Sequence, residues 1–186
     1  WINFSISPVA NEKGWFTHWI SIDKDVTKRK NEEKQLKDSE ERLRLSLKAA
    51  NQGLYDVNVQ TGEAVVNDQY ALMLGYDPNT FVETNSFWLE RVHPDDLAET
   101  SKAYQDYVEG KSREYRIEFR QKTKNNNWKW ILSLGKIIEF DAAGKPLRML
   151  GTHTDITERK KVEEALAESE NRLRTIYNTE PECIKM

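Results

Sequence analysis

The chain has 186 residues, of which 38% are apolar and 32% charged, with six Trp, seven Tyr and six Phe. That aromatic content is too high for a disordered polymer, so one packed core is expected, diluted by charged helical or linker sequence. The net charge of -3 comes from 28 basic and 31 acidic residues that interleave without a polybasic block, which argues against nucleic acid or an anionic membrane as partner. A single cysteine, Cys183, cannot form an internal disulfide and suits a reducing compartment, so a cytoplasmic setting is expected, whether or not the parent protein is membrane-tethered. No run approaches the roughly 20 apolar residues that cross a bilayer, so no direct membrane contact is expected. Trp1 is neither an initiator Met nor part of a signal peptide, and the chain reads as a piece of a longer protein.

In chain order, residues 1 to 24 read as two strands around Gly14; with no sheet of their own they present open edges that invite pairing with another chain. Residues 28 to 50 are charged at most positions and contain no Gly or Pro, which predicts a solvated helix with Leu43, Leu47 and Ala50 on one stripe, stopped by Gly53. Leu54 to Val59 and Glu63 to Val66 are short strand-like runs around Gln60-Thr61-Gly62, a hairpin signal. Residues 68 to 110 read as broken helix, interrupted at Pro78 and Asn79-Thr80 and restarted at His93-Pro94. There Pro94 suits a first helical position, and Asp95 and Asp96 sit in the first turn, where the helix dipole favours anions. Leu97, Tyr104 and Val108 share a face of that helix, and Gly110 is its stop. From residue 113 the period changes to two: Tyr115, Ile117 and Phe119 alternate with Arg116, Glu118 and Arg120. Asn125-Asn126-Asn127 supplies a turn, Trp128, Trp130, Leu132 and Leu134 continue a second strand, Gly144 marks another turn, and Leu147 to Thr154 form a third strand. Strands, short helices and strands again predict an α+β fold with an antiparallel sheet.

The chain also repeats itself. Shifted by 130 residues, Asp25-Val26-Thr27-Lys28-Arg29-Lys30 lies over Asp155-Ile156-Thr157-Glu158-Arg159-Lys160, with eleven identities in the twenty positions from 25 to 44. Gly14 falls on Gly144, and with a one-residue slip Trp1-Ile2 falls on Trp130-Ile131. A period this long is that of a whole domain, not of a solenoid.

The residues resemble a PAS domain with its patterned C-terminal PAC-type motif, the sensory module of multidomain signalling proteins such as sensor histidine kinases and regulators of nucleotide cyclases and phosphodiesterases. Met73-Leu74-Gly75-Tyr76, Val92-His93-Pro94-Asp95-Asp96, Trp128-Lys129-Trp130-Ile131, Gly144-Lys145-Pro146 and the closing Gly151 to Lys160 carry the resemblance, over roughly residues 39 to 160. It implies a five-stranded antiparallel sheet with small helices over one face, flanked by coiled-coil-like connector helices. The organisation expected is the closing strands of a preceding copy (1-27), a connector helix (28-50), a complete domain (51-157), an outgoing connector (158-177) and the start of a following copy (178-186).

Within that frame, Asp155-Ile156-Thr157 stands where the last strand becomes a helix. Asp155 or Thr157 can cap the helix, and Glu158, three residues after Asp155, is placed for a capping box. The resemblance adds that Gly151, Asp155, Ile156, Thr157 and Glu158 couple the sheet to the outgoing helix. Val162, Leu166, Ser169, Leu173 and Ile176 follow a heptad seam there, and Leu36 and Leu43 are the strong apolar positions of the preceding one, so the helices are either a parallel homodimer seam or charged spacers. Trp88, Leu89, Tyr104, Ile117, Phe119 and Leu132 either line a pocket for a small-molecule ligand or fill a solid core.

His93 invites comparison with the haem-ligating His of some family members, but its His-Pro-Asp-Asp setting already fits a helix start, and too few neighbouring ligands stand beside it for a metal site. No Cys lies between 67 and 110, which excludes the covalent flavin photocycle of light-sensing relatives; non-covalent flavin stays open, and no bound cofactor is the simplest expectation. Neither a phosphate loop nor a nucleophile elbow is present, and His18, His93 and His153 are not in the helical setting of a kinase phosphoacceptor. The module is therefore expected to be a non-enzymatic sensor or relay, with adjacent PAS and output domains in cis. The competing reading is a spacer with a filled core that only dimerises its neighbours.

Overall fold

A computed structural model describes residues 1–179. Two compact units divide the chain between Ser46 and Leu47. The first holds β1 (Ile2–Ala10), β2 (Phe16–Asp25) and most of α1 (Thr27–Ala49). Asn11 shapes the hairpin turn by accepting from the Lys13 and Trp15 amides, at 3.0 Å each, and Gly14 supplies the positive φ of +79°. Nothing in the hairpin or in α1 is buried: Phe4 is 60% and Trp19 67% exposed. A lone two-stranded ribbon of this kind is marginal in water.

The second unit contains β3 (Gln52–Asn58), β4 (Glu63–Val66), α2 (Asp68–Met73), β5 (Glu83–Thr84), α3 (Asn85–Glu90), α4 (Pro94–Val108), β6 (Tyr115–Lys122), β7 (Trp128–Phe140), β8 (Pro146–Asp155) and α5 (Thr157–Thr179). Its strands form one antiparallel sheet in the order β5-β4-β3-β8-β7-β6. The expected five strands are present, and the two residues of β5 add a sixth at one edge. His93 caps α4 with its Nδ1 accepting from the Asp95 amide at 3.2 Å, Pro94 follows, and Gly110 ends the helix region at a φ of +75°. Thr100, Tyr104 and Tyr107 turn inward from α4, while Leu97 is exposed. Asn126 takes the positive φ of the β6–β7 turn.

The phase of β7 differs from the expectation. Ile131 and Ser133 are the buried residues of the strand, Gly135 shares their face, and Trp130, Leu132 and Leu134 lie on the outer face. The inward choice is set by the row Tyr115, Gly135, Gly151, Tyr55, which runs in register across four strands. The Tyr55 ring lies over the two glycines, its hydroxyl donating to the Leu134 carbonyl at 3.1 Å. A Cβ on Gly151 would meet Tyr55 Cζ and the Leu134 carbonyl at 2.3 Å, so only glycine fits beneath the ring. At the other end of the sheet the edge of β6 is covered: the His93 amide donates to the Arg120 carbonyl, the Lys122 amide to the Arg91 carbonyl, and the Arg120 amide to Asp96, at 2.8 Å each. Such covering removes an open template for strand addition.

Candidate functional site

Two places in the second unit combine unusual chemistry with position: the β8–α5 corner and the interior between helices and sheet. At the corner, β8 pairs with β7 up to Asp155 opposite Ile131, and the Ile156 amide then donates to the Trp130 carbonyl at 2.9 Å. Asp155 uses both carboxylate oxygens, accepting from the Thr157 amide at 2.9 Å and from Lys129 Nζ at 2.7 Å. Partial burial alone would raise its pKa; the bonds from Lys129 and Thr157 outweigh that and hold the carboxyl below its usual value. Thr157 Oγ1 accepts from the Trp130 amide at 3.1 Å, so this hydroxyl ties the helix start back to β7 and does not cap the helix amides. Ile156 is buried beneath.

The capping box does not form. Glu158 lies on the solvent side with Lys161 at 2.8 Å: α5 begins at Thr157 and the Lys160 amide donates to the Ile156 carbonyl, so Ile156 stands at the N-cap and Glu158 is one place short of the position a capping box uses. Gly151 is also not at the corner; it lies inside the sheet, under Tyr55. Two groups that sequence reasoning missed hold the first turn of α5. Glu118 on β6 takes Arg159 Nη2 at 2.8 Å and Lys160 Nζ at 2.7 Å, and Lys160, first among these neighbours, depresses the Glu118 pKa. The Trp130 ring has Lys160 Nζ at 5.0 Å and the Arg120 guanidinium at 5.4 Å from its centroid.

The corner exists twice. In the first unit the Val26 amide donates to the Trp1 carbonyl at 2.9 Å, the Thr27 amide to Asp25 at 2.8 Å, and the Trp1 nitrogen to Thr27 Oγ1. Ile2 faces Asp25 in one hairpin as Ile131 faces Asp155 in the other. The one-residue slip of the sequence repeat has its cause in the ladder of β7 and β8, which skips a residue between Ile137 and Glu139.

The interior holds a cavity of about 40 Å³, bordered among others by Tyr55, Tyr70, Glu83, Trp88, Tyr104, Tyr115, Ser133 and His153. Of the six residues expected to line it, Trp88 and Tyr104 do. Leu89, Ile117 and Phe119 pack in the hydrophobic cluster beside it, and Leu132 is on the outer face of the sheet because of the β7 phase. His153 is the buried residue least expected from the sequence. Its ring is stacked on Tyr70 at 4.8 Å and meets Tyr55 and Phe119 edge-on at 5.1 and 5.7 Å. Burial, helped by nearby Arg91, pushes its pKa down to about 3, so it is neutral at physiological pH. Glu83 and Arg91 form a buried ion pair, with the guanidinium 5.3 Å from the Phe81 centroid. The Gln121 amide and Trp88 Nε1 are buried without a hydrogen-bond partner among the described residues.

A cavity of about 40 Å³ has room for roughly three water molecules. Tyr55, Tyr70, Tyr104 and Tyr115 border that space and limit its size. His93 is not turned toward the cavity: its Nδ1 serves the Asp95 amide and its ring packs on Trp128 at 4.4 Å. Among the described residues no three His, Cys, Asp or Glu side chains come together as a metal site. Cys183 and all but the first two residues of the expected following copy lie outside the described residues; those two, 178 and 179, continue α5.

Comparison with known proteins places this geometry. A family model described as the PAS fold matches residues 63–153. A blue-light-activated histidine kinase of Brucella anthropi is 26% identical over 174 residues, covering 88% of this chain and 34% of its own length. The two-component sensor PprA of Pseudomonas aeruginosa is 28% identical over 167 residues, covering 86% of this chain and 17% of its own. The chain therefore spans about a third of the first relative and about a sixth of the second. Among solved structures, a sensory box histidine kinase/response regulator from Burkholderia thailandensis is 32% identical with a TM-score of 0.64, over 72% of this chain and 98% of the other. With the fold, the matched segment and this relative in agreement, the chain belongs to the PAS family.

Proposed function

We propose that the chain is a sensory and signal-relay module of a multidomain sensor protein, with its catalytic output, a histidine kinase by likeness to the relatives, elsewhere in the parent. The observation that carries this reading is the duplicated corner: the same Asp and Thr bonds recur where a hairpin hands over to a charged helix. Residues 1–27 are then the closing strands of a preceding PAS copy, and residues 178–186 the opening of the next. A change in the packing of α2 to α4 against the sheet moves the end of β8 at Asp155 to Thr157. α5 passes the change on through pairing with a second copy along Val162, Leu166, Leu173 and Ile176, which are 52–67% exposed, as Leu36 and Leu43 of α1 are at 63% and 60%. No described helix is long and apolar enough to cross a membrane; a cytoplasmic setting rests on the cysteine usage.

The test is Asp155→Ala with Thr157→Ala in the full-length parent. Loss of the output response is expected, and a normal response would overturn the coupling. A second reading, a dimerising spacer without a ligand, is favoured by the tyrosine-crowded cavity of about 40 Å³. An absorption spectrum and native mass of the 186-residue chain separate the two. A retained small molecule or chromophore supports sensing, while a bare mass supports relay from the neighbouring domain or spacing.

A further inference from the structure

The first turn of α5 is held by a residue that itself stands beside a competitor. Glu118 and Arg120 lie two apart on β6, hence on the same outer face, and Arg120 is opposite Trp130 on β7. Arg120 does not use Glu118. Its Nε and Nη2 form a fork on Asp96 at 2.9 and 2.6 Å, its backbone amide takes the same carboxylate at 2.8 Å, and Nη2 reaches Asp95 at 3.3 Å. Bidentate pairing of this kind fixes a guanidinium in one direction. Glu118 is thereby left to Arg159 and Lys160, with Arg116 farther away at 3.6 Å. Both Asp95 and Asp96 belong to the first turn of α4, part of the helical layer over the cavity.

We infer that Arg120 is a two-position latch: held by Asp96 at the start of α4 it leaves Glu118 to Arg159 and Lys160, and released from Asp96 it competes for Glu118 and loosens the start of α5. This inference rests on the reading of α5 as the output helix, and adds a route from the helical layer to α5 that does not pass through the end of β8. A latch that exchanges Asp96 for Glu118, two residues along the same face of β6, is discrete, which is what a relay needs. It also carries a signature that simple destabilisation lacks, because the effect of losing Asp96 requires Arg120 to be present.

The experiment is amide hydrogen exchange on the full 186-residue chain, comparing wild type, Asp96→Asn, Arg120→Gln and the double variant, with rates at Ile156 and the first turn of α5 normalised to that of Ile131 in the core. Asp96→Asn should speed exchange at the start of α5 about fivefold. Arg120→Gln should leave it within about twofold of wild type, and the double variant should return to the level of Arg120→Gln. An unchanged α5 in Asp96→Asn, or a double variant as fast as Asp96→Asn, overturns the latch. Should Asp96→Asn fail to fold, Asp96→Ser, which keeps an acceptor for the Arg120 amide, takes its place under the same criteria. Since exchange is read in the chain itself, failure here leaves the Asp155 and Thr157 test in the parent standing, and failure there leaves the latch standing.

Discussion

The hairpin of β1 and β2 and the hairpin of β7 and β8 end in the same corner but differ in what lies on their faces. Register equates Ile6 and Ser21 of the first with Gly135 and Gly151 of the second, and Asp23 with His153. In the complete domain the glycine pair admits the Tyr55 ring and His153 is walled by aromatic rings. The first hairpin has side chains where the glycines stand and a carboxylate where the imidazole stands, so no tyrosine can lie flat across it in the same way. The strand-to-helix connection is thus kept while the interior next to it changes. A junction built from backbone amides, one Asp and one Thr is independent of core composition, and that independence suits a part reused between successive domains.

The sharpest way to break the comparison is to give the second hairpin a side chain that the first already has. Gly151→Ala sets a Cβ at 2.3 Å from Tyr55 and the Leu134 carbonyl. A loss of about 3 kcal/mol, the upper end for overpacking, is expected from urea unfolding. Ser21→Ala, at the matching place on an exposed strand, should change stability by less than about 0.5 kcal/mol. A tolerated Gly151→Ala would mean that Tyr55 does not occupy the glycine trough.

Acid should separate the two regions next. His153 has its folded pKa lowered from 6.5 to about 3 by burial. Below pH 6.5 the unfolded chain takes up a proton that the native domain does not, so stability falls with falling pH across the window from about 6.5 to about 3. The slope approaches about 1.4 kcal/mol per pH unit, or about 2 kcal/mol by pH 5. Below about pH 4, loss of the ionised Asp96, Asp155 and Glu118, whose pKa values are lowered, adds to it. Urea midpoints at pH 7, 6 and 5 for wild type and His153→Phe check this; the variant should be nearly flat, and a wild type equally flat would place His153 in contact with water.

Much of this was legible beforehand because the signals are local. Alternation over Tyr115 to Phe119, the helix start at His93-Pro94 and the Asn126 turn each need only a few neighbouring residues. The phase of β7 was not legible: Trp130, Leu132 and Leu134 look like a buried row, while Ile131, Ser133 and Gly135 look too small and polar to be one. What decides the matter is Tyr55, roughly 80 residues away in sequence, whose ring needs the space that the glycines leave. The same limit hid Glu83, Gln121 and His153, polar residues whose burial depends on partners brought in by other strands. The strand-to-helix junction lies at Asp155 to Thr157, where the spacing put it, but the capping box that the spacing suggested does not form, because the helix starts at Thr157 and leaves Glu158 one place short.

That correction sets the three remaining effects. Asp155→Ala removes the acceptor of the Thr157 amide and the partner of Lys129, which are about one-third exposed, and should cost about 1 kcal/mol. Asp25→Ala in the first unit, which loses the amide bond alone, should cost less. Glu158→Ala should be neutral within about 0.3 kcal/mol, because the residue holds only an exposed pair with Lys161. The first unit makes the same point with Lys28 at this place, on the same Asp and Thr framework and paired instead with Glu32. Thermal melts of the three variants order these effects. A Glu158→Ala loss as large as that of Asp155→Ala would show that the glutamate reaches back to the corner after all, and that the two junctions are built differently.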